Sequence, residues 1–230
     1  MEWLKTREPM NMRLLLLSLL CVLSVYPLKG QEMNPFVKGG LTIGLFDGTA
    51  ASDEDVGRVG LNVGAGVRIP INKSKKLFLE PALVFISKGN VYDVSQAGGK
   101  VTFSLWYLEA QFDFIYRCSV GKHWCIPFGT GLYGAYAIGS KVSTTNDITW
   151  FNGIPVGETS SMFSSEIGAP RWDAGWRVWT IGVEQSHFMF RWDFELGFFS
   201  QFPDKPCGLE KGKEYNGYNW AMSLNLGYSF

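Results

Sequence analysis

A chain of 230 residues with 21 basic and 21 acidic side chains has no formal net charge, which excludes the basic footprint of a nucleic-acid binder. The length allows one domain or at most two small ones. Aromatic residues make up 15% of the chain, as 17 Phe, 9 Trp and 9 Tyr, while only 18% of residues are charged; a fold that needs many large amphipathic rings is implied.

Residues 1–30 read as a cleaved secretory signal peptide. A basic Arg13 precedes an apolar run from Leu14 to Tyr26, then a break at Pro27, with cleavage expected before Gln31. That run is too short for a bilayer-spanning helix, which needs ~20 residues. Met10 and Met12 are alternative starts to Met1, and Cys21 after Leu20 is a poor lipoprotein cleavage site. Within residues 31–230 no apolar run approaches helical spanning length, so a membrane is crossed here only by strands.

Eight segments alternate with the period of a strand. The first is Phe36–Phe46. In the second, Arg58–Ile71, Val59, Leu61, Val63, Ala65, Val67 and Ile69 occupy one face. The third, about Lys76–Lys88, sets Leu77, Leu79, Leu83 and Phe85 against Glu80. The fourth, Thr102–Arg117, sets Trp106, Leu108, Ala110, Phe112, Phe114 and Tyr116 against Glu109, Gln111 and Asp113. The fifth, Trp124–Gly139, has Ile126, Phe128, Leu132, Tyr136 and Ile138 in phase. The sixth, Arg171–Glu184, has Trp172, Ala174, Trp176 and Val178 opposite Asp173, Gly175 and Arg177, and its phase blurs after Trp179. The seventh, from Phe188, sets Phe190, Trp192, Phe194, Leu196 and Phe198 against Arg191, Asp193 and Glu195. The eighth closes the chain with Trp220, Met222, Leu224, Leu226, Tyr228 and Phe230 at every second position.

The seventh segment decides the solvent. A face bearing Arg191, Asp193 and Glu195 in succession is no ordinary core, and the opposite face would be an adhesive patch in water. The segments run ~11–16 residues against a mode of 5–6 in globular proteins. Their connections alternate short (72–75, 119–123, 185–186) and long (47–57, 89–101, 140–170, 201–216), as outer-membrane barrels alternate periplasmic turns with extracellular loops. The expected fold is all-β, an eight-stranded antiparallel transmembrane up-and-down β-barrel in the outer membrane of a Gram-negative cell envelope. Aromatic girdles are expected from Trp124, Phe188, Tyr228 and Phe230 on the turn side and from Phe103, Tyr136, Trp172, Trp176 and Trp220 on the loop side.

The stretches YLEAQFDFIY (107–116), PFGTGLYGAYAIG (127–139) and LNLGYSF (224–230) resemble the PorT-like outer-membrane β-barrel proteins of Bacteroidota. The resemblance covers nearly all of residues 31–230, although Glu109-Ala110-Gln111 replaces the family's usual proline-centred motif. It implies an eight-stranded barrel inserted by the outer-membrane assembly machinery, with Tyr228 and Phe230 in the C-terminal insertion signal. It also implies a role in an envelope secretion or assembly machine.

Ten charged residues have the inward phase: Lys38, Arg68, Glu80, Glu109, Asp113, Asp173, Arg177, Arg191, Asp193 and Glu195. Eight strands enclose room for side chains or one small ligand, and desolvated charges must pair, so a structural salt-bridge network is expected, with a narrow ion or proton path as the alternative. No catalytic, cofactor or metal site is expected. The histidines, His123 and His187, lie at turns, the wrong end for attack on lipopolysaccharide. The acidic first loop, with Asp47, Asp53, Glu54 and Asp55, lacks calcium-ligand spacing. Cys118 and Cys125 flank a turn and form a candidate disulfide, provided that a bulge brings their opposite parities to one face; Cys207 would then have no partner, and the spacing is a poor zinc signal. Loop 140–170, with Trp150, Phe151, Ile154, Met162 and Phe163, is the expected contact for an extracellular or secretion-machine partner. The expected function is structural, binding or adhesive. A transporter of small hydrophobic solutes is a further alternative, if Gly129, Gly131 and Gly134 thin the wall of the fifth strand.

Overall fold

The computed structural model describes residues 33–47, 56–94, 99–144, 161–164, 168–202 and 216–230. The signal segment, most of the first loop, Trp150, Phe151, Ile154, Cys21 and Cys207 lie outside the described residues. Eight strands follow in chain order: β1 (Asn34–Asp47), β2 (Val56–Pro70), β3 (Leu77–Val94), β4 (Gly99–Val120), β5 (Trp124–Thr144), β6 (Trp172–Gln185), β7 (Phe188–Ser200) and β8 (Tyr218–Ser229). Each pairs antiparallel with its chain neighbours, and β1 pairs with β8 from Phe36 opposite Ser229 to Asp47 opposite Tyr218, closing the barrel. Closure pairs every strand on both sides through the body of the ring, the condition a sheet must meet in hydrocarbon, and β5 continues past its pairing with β6, from Tyr136 to Thr144.

The wall is inverted relative to a soluble protein. Leu61, Phe114, Phe128, Leu132, Phe188, Phe190 and Leu226 face outward and exposed, while Lys38, Arg68, Glu80, Arg177, Arg191 and Asp193 point inward and buried. Lipid is the solvent that makes this arrangement favourable, because water rewards neither face.

Two features differ from the expected elements. The connection between β3 and β4 is only residues 95–98, because both strands continue past the expected loop and pair out to Val94 opposite Gly99. This hairpin stands longer than a bilayer requires, with 22 residues in β4 against ~9–11 needed to cross. The second difference is in the register. Tyr107 lies opposite Ala137 but Trp106 opposite Gly139, so Ile138 is an extra residue in β5. Arg177 lies opposite Gly131 and Glu195, whereas Trp179 lies opposite Phe194 and Thr180 opposite Gly129, so Val178 is an extra residue in β6. A bulge of one residue reverses which face each later side chain takes. Val142 is accordingly buried at an even position, and β6 points Asp173 and Arg177 inward before its bulge but Thr180 and Glu184 after it.

Candidate functional site

From the turn end upward, the lumen is filled in tiers. In the first, Arg68 and Arg191 share two carboxylates: Arg68 donates to Glu80 at 2.6 Å and to Glu184 at 2.8 Å, and Arg191 donates to both at 2.6 Å. Arg117, one-quarter exposed, closes the tier on the other oxygen of Glu184 at 2.7 Å. Above it Arg177 donates to Asp113 at 2.7 Å, pairs with Glu195 and lies 3.2 Å from Asp193. Lys38 donates to Gln111 at 2.8 Å, and Asn225 donates to Asp193 at 2.8 Å.

In the third tier Lys88 bridges Glu109 and Glu195, both at 2.9 Å, with its ammonium 4.2 Å from the centre of the Tyr133 ring. Tyr133 in turn donates to Asp173, which also accepts from Asn219 at 2.8 Å. Tyr133 has room because it crosses Gly175 on β6: a methyl group there would strike the ring. Among the described residues, five buried cations thus face seven buried carboxylates; Arg117 and the neutral donors Gln111, Tyr133, Asn219 and Asn225 supply the remaining stabilisation.

Above the charges, the loop half of the lumen is apolar. Phe46, Val84, Ile86, Tyr92, Phe103, Leu105, Ala137 and Val142 form a cup, and Met162 and Phe202 from two connections fill it. Phe202 packs edge-on against Phe46 and Phe103, with ring centres 5.5 and 5.7 Å apart. Met162 has no exposed surface; its amide donates to Ser140 Oγ and its carbonyl accepts from Ala169. Phe163 lies partly buried, with the Arg171 guanidinium 4.8 Å from its ring centre.

All ten residues of the expected network lie buried in the barrel. Nine of them make the ion pairs above, if the looser Lys38–Asp193 contact of 3.9 Å is included; Asp173 stands apart among neutral donors. Sequence reasoning missed Lys88 and Glu184. Lys88 continues the even parity of Glu80 on β3, a readable signal at the edge of the third segment. Glu184 was concealed by the bulge at Val178, of which the blurred phase after Trp179 was the only trace.

Several expectations are corrected. Phe103 points inward with no exposed surface and belongs to the cup, because β4 keeps odd positions inward up to its loop end. Trp124, Phe188, Tyr228 and Phe230 at the turn end, and Tyr136, Trp172 and Trp176 toward the loop end, do face outward and exposed. Met162 and Phe163 are turned into the mouth, so this arrangement does not present them to a partner. Cys118 and Cys125 are free thiols: Cys125 lies opposite Ser119 and Cys118 opposite Ile126, with no register shift between them, so the cysteines take opposite faces. Gly129 and Gly131 open no gap, because Ile115 and Asp113 of β4 fill the space a side chain would need, whereas Gly134 faces outward into open space.

His123 is exposed in its turn, and His187 donates from Nδ1 to the Ser229 carbonyl at 2.7 Å while stacking on Tyr228. Among the described residues no group of three or more His, Cys, Asp or Glu is placed to hold a metal ion.

An even number of antiparallel strands, a closed ring, an apolar exterior and a charged interior define an outer-membrane β-barrel protein. No family model and no curated protein matches the chain. Among solved structures it is similar to Ail, the attachment invasion locus protein of Yersinia pestis, crystallised with the heparin analogue sucrose octasulfate: 12% identity, 86% of this chain and 99% of that one, TM-score 0.43. It is also similar to OprG from Pseudomonas aeruginosa (12% identity, 87% and 97% covered, TM-score 0.44) and to a major outer membrane protein of Thermus thermophilus (10%, 86% and 100%, TM-score 0.41). These are likenesses of barrel architecture; the membrane placement rests on the two faces of the wall.

Proposed function

We propose that this chain is a non-conducting, non-enzymatic outer-membrane barrel that acts through its surfaces, in binding, adhesion or envelope integrity. The observation that carries this reading is the filled lumen: three tiers of paired charges beneath an apolar cup occupied by Met162 and Phe202. An ion crossing it must displace buried pairs and then leave water altogether, each step costing several kcal/mol. The extracellular connections then remain as the place for recognition, with residues 145–171, between β5 and β6, the longest.

The test is purified protein in planar bilayers alongside a binding assay on whole cells. The reading expects no conductance steps, and binding that is lost when residues 145–160 are replaced by a Gly-Ser linker of equal length. Steady single-channel currents would overturn it.

A second reading makes the barrel a component of an envelope secretion or assembly machine. It is supported by the PorT-like stretches at 107–116, 127–139 and 224–230. Extraction in mild detergent separates the two: an unboiled band at monomer mass favours the self-contained barrel, and a heat-labile band of much higher mass favours the machine.

A further inference from the structure

The turn end of the barrel carries a one-sided arc of cations. Lys73, Lys75 and Lys76 are exposed in the connection between β2 and β3, and Lys122 is exposed in the turn between β4 and β5. The two connections adjoin: the Arg117 amide donates to the Lys76 carbonyl at 2.8 Å, and Leu77 lies opposite Tyr116 in the sheet. Glu80 and Glu184, the carboxylate side chains of the adjoining tier, are buried and held by Arg68, Arg117 and Arg191. They leave Lys73, Lys76 and Lys122, outside that tier, unneutralised by it.

Depth in the membrane is marked by the neighbouring rings. Tyr116 and Phe128, 5.3 Å apart, and the exposed Trp124 form the outward aromatic belt of this sector. Lys76, next to Leu77, and Lys122, two residues before Trp124, lie just beyond it. That is headgroup depth, where a lysine stem covers apolar surface and its ammonium reaches the phosphate layer.

We propose that Lys73, Lys76 and Lys122 form a binding surface for anionic phospholipid headgroups of the periplasmic leaflet. The inference rests on the membrane placement argued above. Phosphate in a lipid is favoured over phosphate in solution because the cations adjoin the apolar belt, so that acyl chains and headgroup are engaged together. Lys75 holds a positive φ of 51° in its turn and is left unaltered in the test, so that backbone geometry is preserved.

The experiment uses the full barrel in vesicles of phosphatidylcholine alone or with roughly one-fifth phosphatidylglycerol. The thermal midpoint is read from the compact band of unboiled samples, and lipid preference from quenching of tryptophan by dibrominated phosphatidylglycerol against dibrominated phosphatidylcholine. Expected are a higher midpoint with the anionic lipid, a several-fold preference for it, and loss of both at about 0.5 M salt. Both are also expected to vanish in K73Q/K76Q/K122Q and to persist in K73R/K76R/K122R. An unchanged anionic-lipid effect in the glutamine variant, or no such effect in the parent chain, would overturn the proposal. Equal stabilisation of phosphatidylcholine vesicles by soluble glycerol phosphate would overturn it in favour of a soluble anion. Failure of the parent chain to form a compact band in any vesicle would instead refute the membrane barrel, a distinguishable result.

Discussion

Thr130 donates its hydroxyl hydrogen to the backbone carbonyl of Arg177 at 2.8 Å, across the boundary between β5 and β6. That carbonyl belongs to the residue just before the bulge at Val178, on a wall that faces lipid. The exposed Trp176 indole donates to the same hydroxyl at 2.7 Å, so one threonine satisfies two groups in a solvent that offers neither a hydrogen bond. Thr130→Val is expected to destabilise the barrel by about 1–3 kcal/mol, with Thr130→Ser restoring most of the loss, as read from urea unfolding in vesicles. A valine variant as stable as the parent would show that the bulge needs no capping hydroxyl.

The lowest tier makes a sharper claim about charge. Arg191→Met leaves Glu80 and Glu184 sharing Arg68, with only Arg117 to help, and removal of one partner from a buried pair costs about 3–5 kcal/mol. Adding Glu184→Gln removes the surplus carboxylate, so the double variant is expected to be more stable than Arg191→Met alone. A double-mutant cycle on the unfolding midpoint checks the sign.

Seal and stability separate at the cup. Phe202→Ala and Met162→Ala each delete buried side chains and are expected to cost about 2–5 kcal/mol. The combined variant is nevertheless expected to stay closed in planar bilayers, because the Arg177 and Lys88 tiers still fill the barrel below. Conductance in the combined variant would locate the seal in the cup alone.

The cysteines give a test of register. Oxidation is expected to leave the parent monomer's non-reducing gel mobility unchanged, with two thiols titrating at positions 118 and 125. Ser119→Cys sets a thiol directly opposite Cys125, where Cα atoms of paired strands are about 4.5–5.5 Å apart and a disulfide fits. Copper-phenanthroline treatment followed by a non-reducing gel should show the intramolecular bond in that variant.

The parity of side chains in β4 and β8 was legible in the sequence because one face is oily and the other charged or small, and nothing in those strands breaks the period of two; β2 keeps its parity from Asn62 onward and β7 up to Leu196, with a register shift beyond each. The legibility stopped where geometry depends on pairing. Val178 looks like one more outward residue after Trp176, and only its neighbours on β5 and β7 reveal that it is supernumerary; hence Glu184 went unseen and Trp179 had no clear face. Phe103 was misplaced for another reason. An inward aromatic at the loop end and an outward girdle aromatic are the same residue type, and what separates them is the apolar cup assembled from β1, β3 and β5. Lys88 was within reach, since parity from Glu80 through Val84 and Ile86 points straight to it.

The pairing of β1 with β8 also sets a clock. Phe36 meets Ser229 and Asp47 meets Tyr218, so the first strand to emerge from synthesis waits for the last. Until residues 218–229 exist, no ring can close, and every oily side chain of the seven earlier strands is carried through water with two open edges beside it. Delivery of this chain to its membrane is therefore a matter of custody: its oily strands are open to aggregation for the whole interval between making the first strand and the last.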